Sequence, residues 1–587
     1  MLKLLKRMTK HEYGMVLVSL VFIVIQVWLD LKMPDYMSTI TELVQTPGSE
    51  MSAILLNGGY MLLCAVGNMA AAMATGYFAA KVAAGLSKTV REKVFKKVMR
   101  FGSEEMGRFS TASLITRTTN DITQVQMIVA LGLQAVIKAP IHLVWAIVKI
   151  SGKQWKWSAA TAAAVLVILV VLMIAVVLAL PKFKVIQQLT DNLNRVTREN
   201  LTGIRVVRAY NAETYQEEKF ESANIVLTKT NLFTNRVMAL LMPTMTFVTS
   251  GISLAIYWIG AYLINAADKF MRLDIFSDMV VFSSYAMQVI MAFTMLTMMF
   301  IMLPRVMVSA RRINEVLETE ISLKDGMVKS PNTEEQGFVE FRNVSFKYPD
   351  AGGYVLENIS FTARQGETVA IIGSTGSGKS SLINLIPRFY DVTEGEILVD
   401  GINVKDYSQR ALRNKLGYVS QRAVLFSGTI ESNVHYGDNG RNDTNAEDVE
   451  DAIDIAQAKE FVLKMKGRYG ARIAQGGTNV SGGQKQRLSI ARAICRRAEI
   501  YIFDDTFSAL DYKTDRTLRK ALDGRLSQAT KLIVAQRIGS IRNADKIIVL
   551  DCGRIAGMGT HDELLRTCRT YQEIAHSQLS EEELKHA

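Results

Sequence analysis

From Ser158 to Leu180 the chain runs 23 residues without a charge. A bilayer offers no water to backbone N–H and C=O groups, so such a run crosses it as a helix, and about 20 residues suffice for a core of about 30 Å. Further apolar runs over Tyr13–Trp28, Ile54–Phe78, Ile128–Ile150, Met238–Ile264 and Met279–Leu303 bring the expected spans to six. An even number puts both ends on one side, and basic flanks such as Lys3, Lys6, Arg7, Lys10, Arg311 and Arg312 assign that side to the cytoplasm of a plasma-membrane protein. External loops are then expected at Pro34–Glu50, Ser151–Trp155 and Ala266–Asp278.

The formal charge of +12 invites a nucleic-acid role, but the basic residues sit at span ends and no reader motif accompanies them, so no nucleic-acid partner is expected. Cysteines at 64, 495, 552 and 568 form no CxxC pair and no metal spacing, as befits free thiols in a reducing compartment. The apolar stretch after Met1–Lys10 is too long for a signal h-region and ends without a small-residue cleavage site.

The composition changes near residue 320. Before it, Ala79–Gln126 and Lys182–Arg236 are charged and rich in helix formers, and are expected to extend spans into the cytoplasm as amphipathic helices. Their tips, Met106–Thr116 and Asn211–Phe220, are the expected contacts for a soluble motor. Residues 317–337, with Ser330-Pro331-Asn332-Thr333, are polar and aperiodic and mark a linker between a membrane domain, 1–316, and a soluble domain, 338–579. From Phe338 the pattern has period two (Val339, Phe341, Val344, Phe346), and apolar strands recur at Thr368–Ile372, Ile500–Phe503 and Lys531–Ala535, as in a doubly wound sheet. Residues 580–587 form a charged tail.

Between the strand ending at Ile372 and a helix expected over Ser380–Pro387 lies Gly373-Ser374-Thr375-Gly376-Ser377-Gly378-Lys379-Ser380-Ser381. This is a full GxxxxGKS in strand–loop–helix context: glycines let successive N–H groups curl round the phosphates of ATP, Lys379 supplies a charge to them, and Ser380 a hydroxyl to Mg²⁺. Asp504, ending the run Ile500-Tyr501-Ile502-Phe503, places a carboxylate where it can orient the Mg²⁺.

With these motifs in this order, the chain resembles a half-transporter of the ABC exporter superfamily over nearly its full length. The resemblance implies an all-α six-helix exporter domain followed by an α/β P-loop ATPase domain. It assigns Tyr348 to the aromatic stacked on adenine, Gln421 to the glutamine loop that links the metal site to the membrane domain, and Ser508-Ala509-Leu510-Asp511 to the D-loop. Val480-Ser481-Gly482-Gly483-Gln484 matches the family signature, which caps a helix expected from Gln484 through Arg492. Small residues before a helix N-terminus make an anion site, and in the family that site faces the γ-phosphate held by the other subunit. One P-loop and one signature per chain therefore imply a pair.

Two positions depart from the family pattern. A catalytic glutamate is expected where Asp505 stands, and a switch histidine where Gln536 stands. Aspartate draws a general base back by roughly 1 Å, a misplacement that can cost on the order of 10²-fold in rate. Gln536 donates a hydrogen bond but lacks an imidazole's protonation chemistry. The segment before the signature also differs, reading Ala474-Gln475-Gly476-Gly477 where relatives tend to carry Gly-Glu-Arg-Gly. Together these imply a second, non-identical half-transporter: this chain lines a slow ATP site, and its intact signature completes a competent one on the partner. A homodimer tolerating both changes is the alternative.

The expected cargo is a small hydrophobic or amphipathic compound, exported in the multidrug manner. The sixth span carries Met287, Met291, Met295, Met298, Met299 and Met302 beside Phe293 and Phe300, and thioethers repack readily around varied ligands. Lipid-facing or helix-packing methionine is the plainer explanation of the stripe. Gln26, Asn57, Asn68, Gln134, Lys138 and His142 are candidates for a water-facing lumen, and Asp30 and Asp35 for an external gate or interfacial positions. Lipid translocation, peptide export and a nucleotide-gated channel or regulatory subunit are alternatives. The channel lacks selectivity rings in its support, and the leader-cleaving peptide exporter lacks a protease domain before the first span.

Overall fold

The computed structural model describes residues 1–46, 48–151, 154–268, 271–329, 335–349, 351–438 and 445–578. The stretch Ser330–Thr333 and the charged tail 580–587 lie outside them. The chain forms two compact units, one of Met1–Met99 with Thr111–Thr319 and one of Arg100–Ser110 with Glu320–Ala587.

The first unit holds helices α1 (Lys10–Gln45), α2 (Met51–Val98), α3 (Ile122–Ser151), α4 (Trp155–Thr202), α5 (Leu241–Ala266) and α6 (Arg272–Glu318). Among the described residues six helical segments are long and apolar enough to cross a membrane. Thr9 starts α1 with a capping box, its hydroxyl accepting from Glu12 N while the Glu12 carboxylate accepts from Thr9 N. At 48 residues each, α2 and α4 reach about 70 Å, far more than a bilayer requires. The tip expected near Met106 holds the short helix Ser103–Arg108. At the other tip the chain reverses through Asn211, whose φ is 50°, into the helix Glu213–Ala239. A π-helical turn, Arg117–Asp121, leads into α3.

Two expected external loops are shorter than the sequence suggests. Helix α1 continues through Pro34 to Gln45, and α6 begins already at Arg272. Proline has no N–H for the carbonyl four residues back, which normally ends or kinks a helix. In a membrane bundle such freed groups can be satisfied by neighbouring helices. Here Gln288 Nε2 on α6 donates to the Asp30 carbonyl at 3.5 Å, and Tyr285 Oη lies 3.0 Å from the next carbonyl, Leu31. The interior of this unit is built on Trp157, Ile256, Phe282 and Tyr285, all fully or almost fully buried. Trp157 Nε1 donates to the Ile256 carbonyl at 3.2 Å, so its one polar atom is satisfied.

In the second unit, β1 (Val339–Phe346), β2 (Leu356–Ala363), β4 (Glu394–Val399) and β5 (Ile402–Asn403) make an antiparallel sheet in the order β2-β1-β4-β5. A six-stranded sheet combines β3 (Thr368–Gly373), β6 (Leu416–Val419), β9 (Ile500–Asp504), β10 (Thr530–Val534), β11 (Lys546–Asp551) and β12 (Arg554–Gly559) in the order β12-β11-β3-β10-β9-β6. A small pair, β7 (Gly428–Thr429) and β8 (Arg472–Ile473), stands apart. Along β9, Ile500 and Ile502 enter one hydrophobic core while Tyr501 and Phe503 enter the other. A strand buried on both faces reads as a continuous apolar run, which is why the run Ile500–Phe503 stands out in the sequence. Truncating such a side chain, as in Ile502→Ala, costs about 2–5 kcal/mol.

Part of the linker is held by backbone bonds. Gly326 N and Val328 N donate to Tyr407 O and Asp406 O, and Ser408 N donates back to Val328 O. A Cβ at Gly326 would strike the Asp406 carbonyl, so only glycine admits this approach.

Candidate functional site

Strand β10 lies between β3 and β9 with all three parallel, and Val534 pairs with both Ile371 and Asp504. The C-terminal ends of the three strands therefore meet at one edge, the place where open α/β sheets bind ligands. Gly373–Gly378 leaves β3 there and enters helix α7 (Lys379–Leu385), which begins at the lysine itself. Gly376 and Gly378 have φ of 86° and 98°, a conformation glycine adopts without strain. At Gly373 an added Cβ would strike the Leu550 carbonyl. The Lys379 ammonium lies inside the loop, donating to the carbonyls of Gly373 at 2.9 Å and Ser374 at 2.7 Å. Burial lowers its pKa, against the pull of Asp505 and Asp504.

Ser380, one residue into α7, donates through Oγ to Asp504 Oδ1 at 3.0 Å. Burial pushes the Asp504 carboxyl above the ordinary carboxylate range; the Ser380 hydroxyl opposes that rise and the neighbouring Asp505 adds to it. A desolvated carboxylate beside a hydroxyl is a hard oxygen pair of the kind Mg²⁺ accepts when phosphates and water complete its shell. The residues thus fit that ion. Among the described residues no cluster of three or more His, Cys, Asp or Glu forms a separate metal centre.

Asp505 sits at the turn after β9 with φ of 44° and its N–H bonded to Val534 O at 3.0 Å. Its Oδ2 accepts from Gln421 Nε2 at 3.1 Å and from Gln536 Nε2 at 2.8 Å. Two residues far apart in sequence therefore converge on one carboxylate oxygen. Sequence reasoning missed Gln578, the last residue of the helix Arg569–Gln578. Its Nε2 donates to the Gln536 carbonyl at 2.7 Å, and its Oε1 accepts from Ile538 N at 2.9 Å. No motif marks it.

Tyr348 lies beside the loop with its hydroxyl 2.8 Å from Ser381 Oγ and its ring edge-on to Tyr390 at 5.2 Å. The signature is built differently. Ser481 and Gln484 form a capping box, with Ser481 N donating to Gln484 Oε1 at 2.9 Å and Gln484 N to Ser481 Oγ at 3.3 Å. Helix α8 (Gly482–Cys495) starts two residues before the expected Gln484, so both signature glycines lie in its first turn. An added Cβ at Gly483 would meet the Ala509 carbonyl oxygen at 3.5 Å, so the signature adjoins the D-loop.

Family models match both units: "ABC transporter transmembrane region" over residues 16–303 and "ABC transporter" over residues 356–508. The chain is 38% identical over 530 residues to an uncharacterized ABC transporter ATP-binding protein of Mycobacterium tuberculosis, covering 90% of this chain and 89% of that one. This chain belongs to the ABC transporters. It is an ABC half-transporter, with a six-helix membrane domain fused to an ABC nucleotide-binding domain that binds ATP and couples its hydrolysis to transport. The half-transporter is also 34% identical to the uncharacterized ABC transporter ATP-binding protein YfiB of Bacillus subtilis, over 89% of this chain and 90% of that one. To the ATP-dependent lipid A-core flippase of Pseudomonas fluorescens the identity is 32%, over 83% and 80%. Its fold matches a solved structure of a bacterial Atm1-family ABC exporter with ATP bound, at a TM-score of 0.81, 24% identity and coverage of 97% and 99%.

Proposed function

We propose that this half-transporter is the degenerate-site subunit of a heterodimeric exporter moving small hydrophobic or amphipathic compounds out across the plasma membrane. The observation that carries this reading is the shared oxygen of Asp505, which already accepts from both Gln421 and Gln536. A general base must come within hydrogen-bond reach of the attacking water. Here the carboxylate is one methylene short and is held by two amides, so this ATP site retains nucleotide rather than turning it over. The nucleotide lies on Gly373–Ser381 with Tyr348 against its base. Ser380, Gln421 and Asp504 would hold Mg²⁺, which would supply positive charge against the phosphates.

The intact signature, Ser481–Gln484, completes the competent site on a partner of different sequence. Closure of the two nucleotide-binding domains on ATP opens the membrane cavity outward, and hydrolysis at the competent site resets it. Both termini and the nucleotide-binding domain are cytoplasmic in this scheme, and membrane lipid surrounds the spans. The test is ATPase activity of the purified chain alone and of the chain coexpressed with its partner half-transporter. Turnover only in the pair is expected, whereas brisk turnover by the chain alone overturns the heterodimer.

The flippase relatives support a second reading, a homodimeric lipid translocator. Lipid movement in reconstituted vesicles by this chain alone would favour it.

A further inference from the structure

We propose that Asp30, Asn68, Lys138, His142 and Gln288 form a binding site for the uncharged, hydrogen-bond-donating head of an amphipathic substrate. The proposal rests on the exporter reading and narrows it to a substrate class. The five residues come from α1, α2, α3 and α6. Asp30, Asn68, Lys138 and Gln288 lie roughly fifteen residues from the helix ends that meet at the connections after α1, α3 and α5, a common depth of about 20–25 Å, and His142 lies one helical turn nearer the end of α3.

Asp30 is the centre. Its Oδ2 is 3.2 Å from Lys138 Nζ, its Oδ1 accepts from Asn68 Nδ2, and its backbone carbonyl, uncovered by Pro34, accepts from Gln288 Nε2. These contacts fix both amides. Turning either one over would set its oxygen against an oxygen of Asp30, so the orientation follows from the network. The consequence is that Asn68 Oδ1 and Gln288 Oε1 are left over. Both are buried and without a hydrogen-bond partner, and so is His142 Nε2, one turn beyond Lys138.

A buried polar atom without a partner in an apolar medium costs on the order of 1–3 kcal/mol. A cluster serving only to tie helices together has no need of three. The neighbouring tie on the same helices shows the contrast: Asp35 accepts from Lys149 and Tyr285, each at 2.7 Å, and no atom of those three residues is among the buried unpartnered ones. One polar tie is closed and the other is open.

The open atoms define the ligand. Amide oxygens accept only, so they call for N–H or O–H donors. Asp30 and Lys138 already cancel in charge, so a charged head would add uncompensated charge at low dielectric. A phosphate or carboxylate head brings mainly acceptors and leaves the amide oxygens unmet. An uncharged hydroxyl- or amide-bearing head, such as a sugar or polyol on an alkyl chain, meets both conditions.

The experiment uses the transporter with its partner subunit in lipid nanodiscs, titrated below micellar concentration with octyl glucoside, octyl phosphate and octylammonium. Binding is read from tryptophan fluorescence. Saturable binding of octyl glucoside is expected, at least about tenfold tighter than the charged probes and weakened about tenfold by Asn68→Leu or Gln288→Met. Equal affinities for the three heads, or affinities indifferent to both substitutions, overturn the proposal. So does an absence of saturable binding, which would mean the cluster holds water only. Should Asn68→Leu not assemble, Gln288→Met alone carries the test, since it leaves the Asn68 and Lys138 contacts of Asp30 in place. ATP-dependent uptake of a fluorescent amphiphile by inverted vesicles separates the two levels. No uptake sinks the exporter reading, while uptake that octyl glucoside does not compete sinks only this inference.

Discussion

The side-chain amide of Gln536 donates to Oδ2 of Asp505 at 2.8 Å, on the same oxygen that Gln421 reaches at 3.1 Å. The glutamine just after β10 is therefore bonded to the aspartate just after β9, and the two positions form one unit. A histidine at 536 would bring a ring that can change protonation; an amide holds the carboxylate with a fixed donor.

If the proposed function holds, lengthening the carboxylate alone should leave the site slow. In the assembled transporter, with the P-loop lysine of the other site replaced, Asp505→Glu is expected to raise phosphate release only partly. Asp505→Glu combined with Gln536→His should exceed it by about tenfold or more, because general-base catalysis contributes on the order of 10²–10⁴-fold. Normal turnover in the single variant would show that Gln536 is no obstacle.

The two ATP sites should also respond unequally to loss of the lysine. Lys379 donates into its own loop at Gly373 and Ser374, where it would reach the phosphates of a retained nucleotide. Lys379→Ala is expected to weaken transport less than the matching change in the partner, by about tenfold or more in initial rate. The measurement is substrate uptake by inverted vesicles bearing each variant, and equal losses would remove the asymmetry.

Much of this was legible in the chain because its signals are local. Charge-free runs declare spans, and a glycine loop between a buried strand and a helix declares a phosphate site. What escaped depends on partners distant in sequence. Pro34 reads as a helix end, yet α1 passes through it because Tyr285 and Gln288, some 250 residues later, cover the carbonyls around it. Gln578 carries no motif and becomes meaningful only when its helix brings it to Gln536. Gln421 reads as part of a glutamine loop, but its hold on Asp505 belongs to the folded sheet edge.

Gln578 supplies a test of that distant support. Gln578→Ala removes an acceptor from Ile538 N and a donor from the Gln536 carbonyl. It should lower the stability of the nucleotide-binding domain by about 1 kcal/mol and raise the rate at which a labelled ATP analogue leaves this chain's site. Unchanged release would confine Gln578 to a structural role.

The last expectation concerns acid. His561 is 4% exposed, and its Nδ1 lies 2.7 Å from the Tyr571 hydroxyl. Burial holds its pKa below the ordinary histidine value, and Arg542 pushes the same way while Asp562 opposes. A histidine depressed in the folded state stays neutral where the unfolded chain takes up a proton. Its contribution to stability is therefore complete above the unfolded value of about 6.5 and is lost as pH falls from there through the folded pKa. Thermal unfolding of the nucleotide-binding domain in the solubilised full chain should thus shift to lower temperature as pH falls below about 6.5. His561→Gln cannot take up that proton, so its unfolding temperature should fall less steeply over the same interval. An identical slope in both proteins would assign the acid sensitivity to other groups.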